Sequence, residues 1–291
     1  MFEIIEETVV DSVKILPFLF ITYLIMEYIE HKMKQKTKNA IKRSGKYGPL
    51  IGGIVGIFPQ CGFSVSATNL YAGRVITLGT LISVYLTTSD EMLPILISEA
   101  VSPVIIIKLL AIKLIIGIVA GFIIDFVIRM IHKNKKEKME EEKEIEIEHL
   151  CEEGHCHCES GSILKSALSH TINIFAFIII ITFIINVLVY FIGEENISNL
   201  LLDRKILGPV IASMIGLIPN CAASVILTNM YLENVISAAS MISGLLTGAG
   251  VGLAVLFKTN RNVKENLKIV GILYLIGAVS GIILELIGFK I

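Results

Sequence analysis

Between Gly48 and Tyr71 the chain carries a segment that it repeats 160 positions later, between Gly208 and Tyr231. Aligned without a gap, the two copies agree at 11 of 24 positions: Gly48/Gly208, Pro49/Pro209, Ile51/Ile211, Gly56/Gly216, Pro59/Pro219, Cys61/Cys221, Ser64/Ser224, Val65/Val225, Thr68/Thr228, Asn69/Asn229 and Tyr71/Tyr231. Most of these are helix breakers or polar residues set in otherwise apolar runs. A shared apolar residue says only that both segments are oily; a shared Pro, Gly or Asn says that both backbones break, turn or bond at the same point. The match continues at the same offset through Ile82/Ile242, Ser83/Ser243, Thr87/Thr247, Lys108/Lys268, Gly117/Gly277 and Gly121/Gly281. Two copies of one plan are therefore expected.

The plan is a membrane one. The 291 residues are 54% hydrophobic, against about 45–50% in soluble domains. The apolar residues also gather in runs of roughly the 20 residues that span a bilayer. A net charge of −1 offers no general attraction to nucleic acid. Residues 9–30 predict the first helix, whose acidic N-flank (Glu3, Glu6, Glu7, Asp11) is unlike a signal peptide. The segment 31–47 follows with seven Lys and Arg residues and is expected to be cytoplasmic, leaving the N-terminus external. Runs at 75–98 and 103–130 lead to Arg129, Lys133, Lys135 and Lys136, again cytoplasmic.

Parity then constrains residues 48–71. Passing from one cytoplasmic segment to the next takes an even number of crossings, and 75–98 and 103–130 already make two. Residues 48–71 are thus expected to enter and leave on one side as a re-entrant helical hairpin with its tip at Pro59–Gly62. Arms of about 11–12 residues reach ~16–18 Å at ~1.5 Å per residue, roughly the midplane of a ~30 Å core. The second copy repeats this with a span at 166–192, a hairpin at 206–231 and spans at 235–257 and 268–288. Three crossings and one hairpin per copy make the second an inverted-topology repeat. The expected fold is an all-α polytopic protein of the cell membrane: a first repeat at 1–130, a cytoplasmic charged linker at 131–165 and a second repeat at 166–291.

Paired broken segments in inverted halves point to a central transport site. On a helix resuming after each break, Cys61, Ser64, Thr68 and Tyr71 share one face, as do Cys221, Ser224, Thr228 and Tyr231. Gln60 and Asn220 add an amide at each tip, and Asn69 and Asn229 follow further along. Asp90 and Glu91 sit about sixteen residues into the run 75–98, where carboxylates are costly and read as functional; the second copy has Gly248-Ala249-Gly250-Val251 there. Lys113 also lies inside an apolar run but stands alone. The linker ends in His149, Cys151, His155, Cys156, His157 and Cys158, soft and borderline ligands for a labile metal as an accessory site.

The paired Pro59-Gln60-Cys61-Gly62-Phe63-Ser64 and Pro219-Asn220-Cys221-Ala222-Ala223-Ser224 segments resemble those of the ten-segment heavy-metal exporters, a family also labelled arsenic efflux proteins and manganese transporters. The trailing Thr68-Asn69 and Thr228-Asn229 belong to the resemblance. So does His155-Cys156-His157-Cys158 followed by Ala167-Leu168-Ser169-His170-Thr171. The resemblance implies an exporter more strongly than it implies which ion.

No phosphate-binding loop is present, so a secondary transporter coupled to H+ or Na+ is expected. Its partners are the bilayer and a small inorganic ion, not nucleic acid, with a homodimer left open. No tightly bound cofactor is expected. Neither cysteine has a base beside it in sequence, so no catalytic set assembles and the chain is not read as an enzyme. The substrate is expected to be a metal or metalloid ion, either a Mn(II)-like divalent cation or an arsenical. The alternatives are an oxyanion carrier of the phosphate or arsenate type, bound by helix N-termini at the tips, and an ion channel.

Overall fold

The computed structural model describes residues 47–58, 61–89, 92–135, 163–192 and 206–289, together with nine residues between 9 and 24. Every regular element among them is a helix. In chain order they are α1 (Gly48–Gly56), α2 (Cys61–Ala72), α3 (Leu78–Thr87), α4 (Met92–Ser98), α5 (Pro103–Lys135), α6 (Ile163–Ile192), α7 (Leu207–Gly216), α8 (Cys221–Leu232), α9 (Ala238–Thr247), α10 (Val251–Thr259) and α11 (Val263–Leu286). The order α1–α5 recurs as α7–α11 at the same offset of 160 that the sequence carries.

Local chemistry sets the ends alike in both copies. Pro49 sits in the first turn of α1, where its missing N–H costs nothing. Thr77 and Ser237 cap α3 and α9, their hydroxyls accepting from the amides of Thr80 (3.2 Å) and Ser240 (3.1 Å). After α2 and α8 the chain turns through Arg74 (φ 55°) and Asn234 (φ 60°), and in each turn the amide of the next residue, Val75 or Val235, closes back 2.8 Å to Leu70 or Met230. The sequence marks 75–98 as a span-length run interrupted at Thr87-Thr88-Ser89-Asp90-Glu91, and 235–257 as a span-length run with Gly248-Ala249-Gly250 at the matching place. Both are broken helices, one divided between α3 and α4, the other between α9 and α10, where Gly250 takes φ 54°.

Among the described residues, three helical stretches are long and apolar enough to cross a bilayer: Pro103–Ile131, Ala238–Thr259 (α9 and α10 taken together across the break at Gly250) and Val263–Leu286. The first and third expose most of their apolar surface, including Ile107, Ile115, Ile123 and Phe126 on α5 and Leu267, Leu275 and Ile283 on α11. Ala238–Thr259 is 89% buried and forms the centre with α3. Lipid tails are as apolar as leucine, so helices in a bilayer are held by close packing and interhelical hydrogen bonds. The centre shows both. Ser83 Oγ donates to Pro49 O at 2.7 Å and Ser243 Oγ to Pro209 O at 2.8 Å. A Cβ on Gly56 would come within 2.1 Å of Thr87 Oγ1, and one on Gly216 within 2.0 Å of Gly244 O. These glycines are where α1 meets α3 and where α7 meets α9.

Contacts between the copies are reciprocal. α2 packs on α10 while its counterpart α8 packs on α4; α3 touches α11 while α9 touches α5; and α3 meets its own counterpart α9.

Candidate functional site

The breaks before α2 and α8 bring their first residues together. Cys61 and Cys221, equivalent positions of the two copies, are both buried with their sulfurs 3.1 Å apart. Each is residue one of its helix, so the unpaired amides and positive helix ends of both face this junction. Tyr23, Val65, Ile174, Ile178, Val251 and Val255 enclose the pair.

The face predicted for α2 is realised. Ser64 and Thr68 are fully buried, and their hydroxyls lie 2.8 Å from Cys61 O and 2.7 Å from Ser64 O. Thr68 Oγ1 is also 2.5 Å from Tyr85 Oη and 3.1 Å from Gly252 O. Gly252 is where α10 comes close enough to α2 for this: a Cβ there would meet Ser64 Oγ at 2.9 Å. Asn69 is buried and accepts from Tyr23 Oη at 3.3 Å, while its Nδ2 has no partner among the described residues.

The second copy is built alike but more open. Ser224 Oγ donates to Cys221 O and Thr228 Oγ1 to Ser224 O, both at 2.7 Å. Asn220 is buried in extended conformation ahead of α8, without capping it by its side chain. Asn229 is exposed, so the two copies place this asparagine differently. Gln60, Asp90 and Glu91 lie outside the described residues, as do the linker residues His149, Cys151, His155, Cys156, His157 and Cys158.

Three clusters escape the sequence reading. Lys113 is 1% exposed, and its Nζ donates to Thr88 O and, at 3.0 Å, to Leu245 O. Asp125, also buried, accepts from Thr77 Oγ1 at 2.7 Å and from the amide of Gly79 at 2.9 Å; Glu285 accepts from Ser237 Oγ at 2.5 Å at the matching place. Arg74 pairs with Glu265 of the second copy through two bonds of 3.0 and 3.3 Å, and Tyr71 Oη donates to the same carboxylate. Matched carboxylates at 125 and 285 were a signal available in the sequence. The other two clusters join residues that nothing local connects.

No group of three or more His, Cys, Asp and Glu side chains comes together among the described residues. A metal ion at the junction would take Cys61 and Cys221 as its sulfur ligands, with hydroxyl and amide oxygens around them. At a tetrahedral angle, two metal–sulfur bonds of ~2.3 Å set their sulfurs about 3.8 Å apart, more than the 3.1 Å between these two, so the starts of α2 and α8 would part to admit an ion bound in that way.

A bundle of this kind, with outward apolar helices and a polar centre built from broken ones, defines a helical membrane protein. The chain belongs to the family described as "Putative, 10TM heavy-metal exporter", whose model matches residues 1–193. No curated protein and no solved structure matches it. The family membership makes it a metal transporter in general terms, working in a membrane on a small ion.

Proposed function

We propose that the chain is a secondary exporter that binds a metal or metalloid ion between the tips of two re-entrant hairpins, α1–α2 and α7–α8, and releases it by alternating access. The observation that carries this reading is the contact between Cys61 and Cys221. Equivalent residues that touch each other, with reciprocal packing of α2 on α10 and α8 on α4, support a two-fold relation between the copies. With three crossings in each, that relation inverts the second copy in the bilayer. Arms of 9 and 12 residues, and of 10 and 12, are too short to span at ~1.5 Å per residue, which supports re-entrance.

In this reading Cys61 and Cys221 supply soft ligands, Gln60, Asn220 and Asn69 supply amides, and Ser64, Thr68, Ser224, Thr228 and Asn229 line the path. Asp90 and Glu91 act as ligands or proton carriers for the cationic substrate. Two thiols at the junction favour a soft ion such as an arsenical over a Mn(II)-like cation. The linker cluster from His149 to Cys158 collects metal on the cytoplasmic side. An oxyanion carrier is the second reading, because two helix N-termini converging on one point also complement an anion.

Uptake into everted membrane vesicles, across a panel of Mn, Zn, Fe, arsenite and phosphate, tests this. Accumulation of a metal or arsenite that is lost on Cys61→Ser or Cys221→Ser supports the exporter reading. Accumulation of phosphate alone, unaffected by either substitution, replaces it with the oxyanion reading.

A further inference from the structure

Lys113 is the most deeply buried charge among the described residues. It lies on α5, inside an apolar span, where an ammonium persists only with partners or a wet cavity. Among its partners are two carbonyls from different copies, Thr88 O from the first and Leu245 O from the second. Thr88 is the C-cap residue of α3, and Leu245 lies in the last turn of α9. Both carbonyls belong to the set that a helix leaves unpaired at its end, and both lie at the negative pole of a helix dipole. The ammonium thus sits where the breaks in the two central helices converge.

In transporters with interrupted helices, unwound carbonyls and half-helix C-terminal ends are where the coupling cation binds. Here a side chain already occupies such a place. The position equivalent to Lys113 is Leu273, fully buried and apolar, so one lysine serves the breaks of both copies. Among the described residues, the helices packed most closely on α5, namely α1, α3 and α9, carry one titratable side chain, Tyr85, whose hydroxyl is turned to Thr68 and Gly252. Asp90 and Glu91, which follow Thr88 in the chain, lie outside the described residues. On α5 itself, Asp125 is engaged with Thr77 and Gly79, and Lys108 is exposed.

We propose that Lys113 is a built-in cation filling a monovalent-cation site formed by the C-terminal ends of α3 and α9, so that this chain needs no sodium ion there. Removing the ammonium while leaving room for an ion opens that site to a cation of the sodium class. The inference rests on this geometry alone and does not depend on which ion is exported.

The test compares thermal unfolding of the purified full chain in sodium chloride and in choline chloride of equal ionic strength. Wild type and Lys113→Arg should unfold at the same temperature in both salts. Lys113→Ala should fall by roughly 5 °C or more in choline and recover saturably as sodium is added. Lys113→Met, which fills the space without charge, should fall and stay low in either salt. If the alanine variant does not accumulate, Lys113→Gln takes its place in the same comparison. A neutral small variant as stable as wild type in choline overturns the proposal. So does a loss that no monovalent cation restores, a saturable gain of wild type in sodium, or equal recovery of Lys113→Met.

Discussion

Cys61 and Cys221 stand 160 residues apart and occupy the same position in two copies of one plan, yet their sulfurs are 3.1 Å from each other. In the proposed two-fold arrangement, equivalent residues touch where they lie on the axis relating the copies. The two thiols should therefore report the closed junction chemically. Diamide, which takes two thiol hydrogens, should join them. If the chain is expressed as two pieces divided between α5 and α6, oxidised protein should migrate as one species and separate again under reduction. Cys61→Ser or Cys221→Ser should abolish the linkage. Pieces that stay separate after oxidation would show that the two tips do not meet.

Close packing at the matched glycines gives a second expectation, with a difference between the copies. A Cβ on Gly216 meets the backbone oxygen Gly244 O at 2.0 Å, whereas one on Gly56 first meets the side-chain oxygen Thr87 Oγ1 at 2.1 Å and then Val84 O at 2.8 Å. Overpacking of this kind costs about 1–3 kcal/mol and sometimes more. Gly216→Ala should be the more damaging, because backbone yields less readily than a side chain. Thr87→Ala should partly restore Gly56→Ala, and Thr247→Ala should leave Gly216→Ala largely uncorrected. Unfolding midpoints of the two single and two double variants decide it.

Legibility in the sequence followed the range of the interactions. Helix breaks are written locally, in Pro, Gly and Asn, so the α1–α2 and α7–α8 interruptions and the offset of 160 stood out. The second break of each copy was harder to read. At 88–91 polar residues flag it, but at 248–250 Gly-Ala-Gly in an apolar run reads equally well as a flexible point in one helix, and only the φ of 54° at Gly250 settles it. Lys113 looked solitary because its acceptors lie 25 and 132 residues away. Arg74 and Glu265 are 191 apart. Asn69 and Asn229 look identical in the alignment, yet one is buried, with the Tyr23 hydroxyl donating to it, and the other is exposed.

The ion pair between Arg74 and Glu265 ties the turn after α2 to α11, and the equivalent positions are Asn234 in the second copy and Ile105 in the first. Arg74 holds φ 55°, a region that asparagine tolerates better than arginine. With the side chains 42% and 23% exposed, water screens the pair and its worth is about 0–1 kcal/mol. Arg74→Asn should therefore leave stability within about 1 kcal/mol of wild type, relief of backbone strain offsetting the lost pair. Glu265→Gln should cost more than Arg74→Asn, because the carboxylate also holds the Tyr71 hydroxyl. A double-mutant cycle between Arg74 and Glu265, run at low and high salt, should give a coupling that shrinks with salt; one above about 2 kcal/mol would contradict the exposed geometry.

Asp125 and Glu285 do the same work at the same offset with different numbers of bonds. The carboxylate of Asp125 takes both the Thr77 hydroxyl and the Gly79 amide, pinning the first turn of α3 to α5. Glu285 takes the Ser237 hydroxyl at the start of α9. Asp125 is 6% exposed, so removing it strands a buried amide as well as a hydroxyl, and each bond to a charged group contributes about 1.5–3 kcal/mol. Asp125→Ala should consequently lower stability by about 3 kcal/mol, against about 1.5 kcal/mol for Glu285→Ala. Asp125→Asn keeps one acceptor and should fall between them. Backbone amide exchange at Gly79 is the sharper check: it should accelerate in Asp125→Ala and stay slow in Glu285→Ala. Unchanged exchange in the aspartate variant would mean that the cap of α3 is held by Thr77 alone.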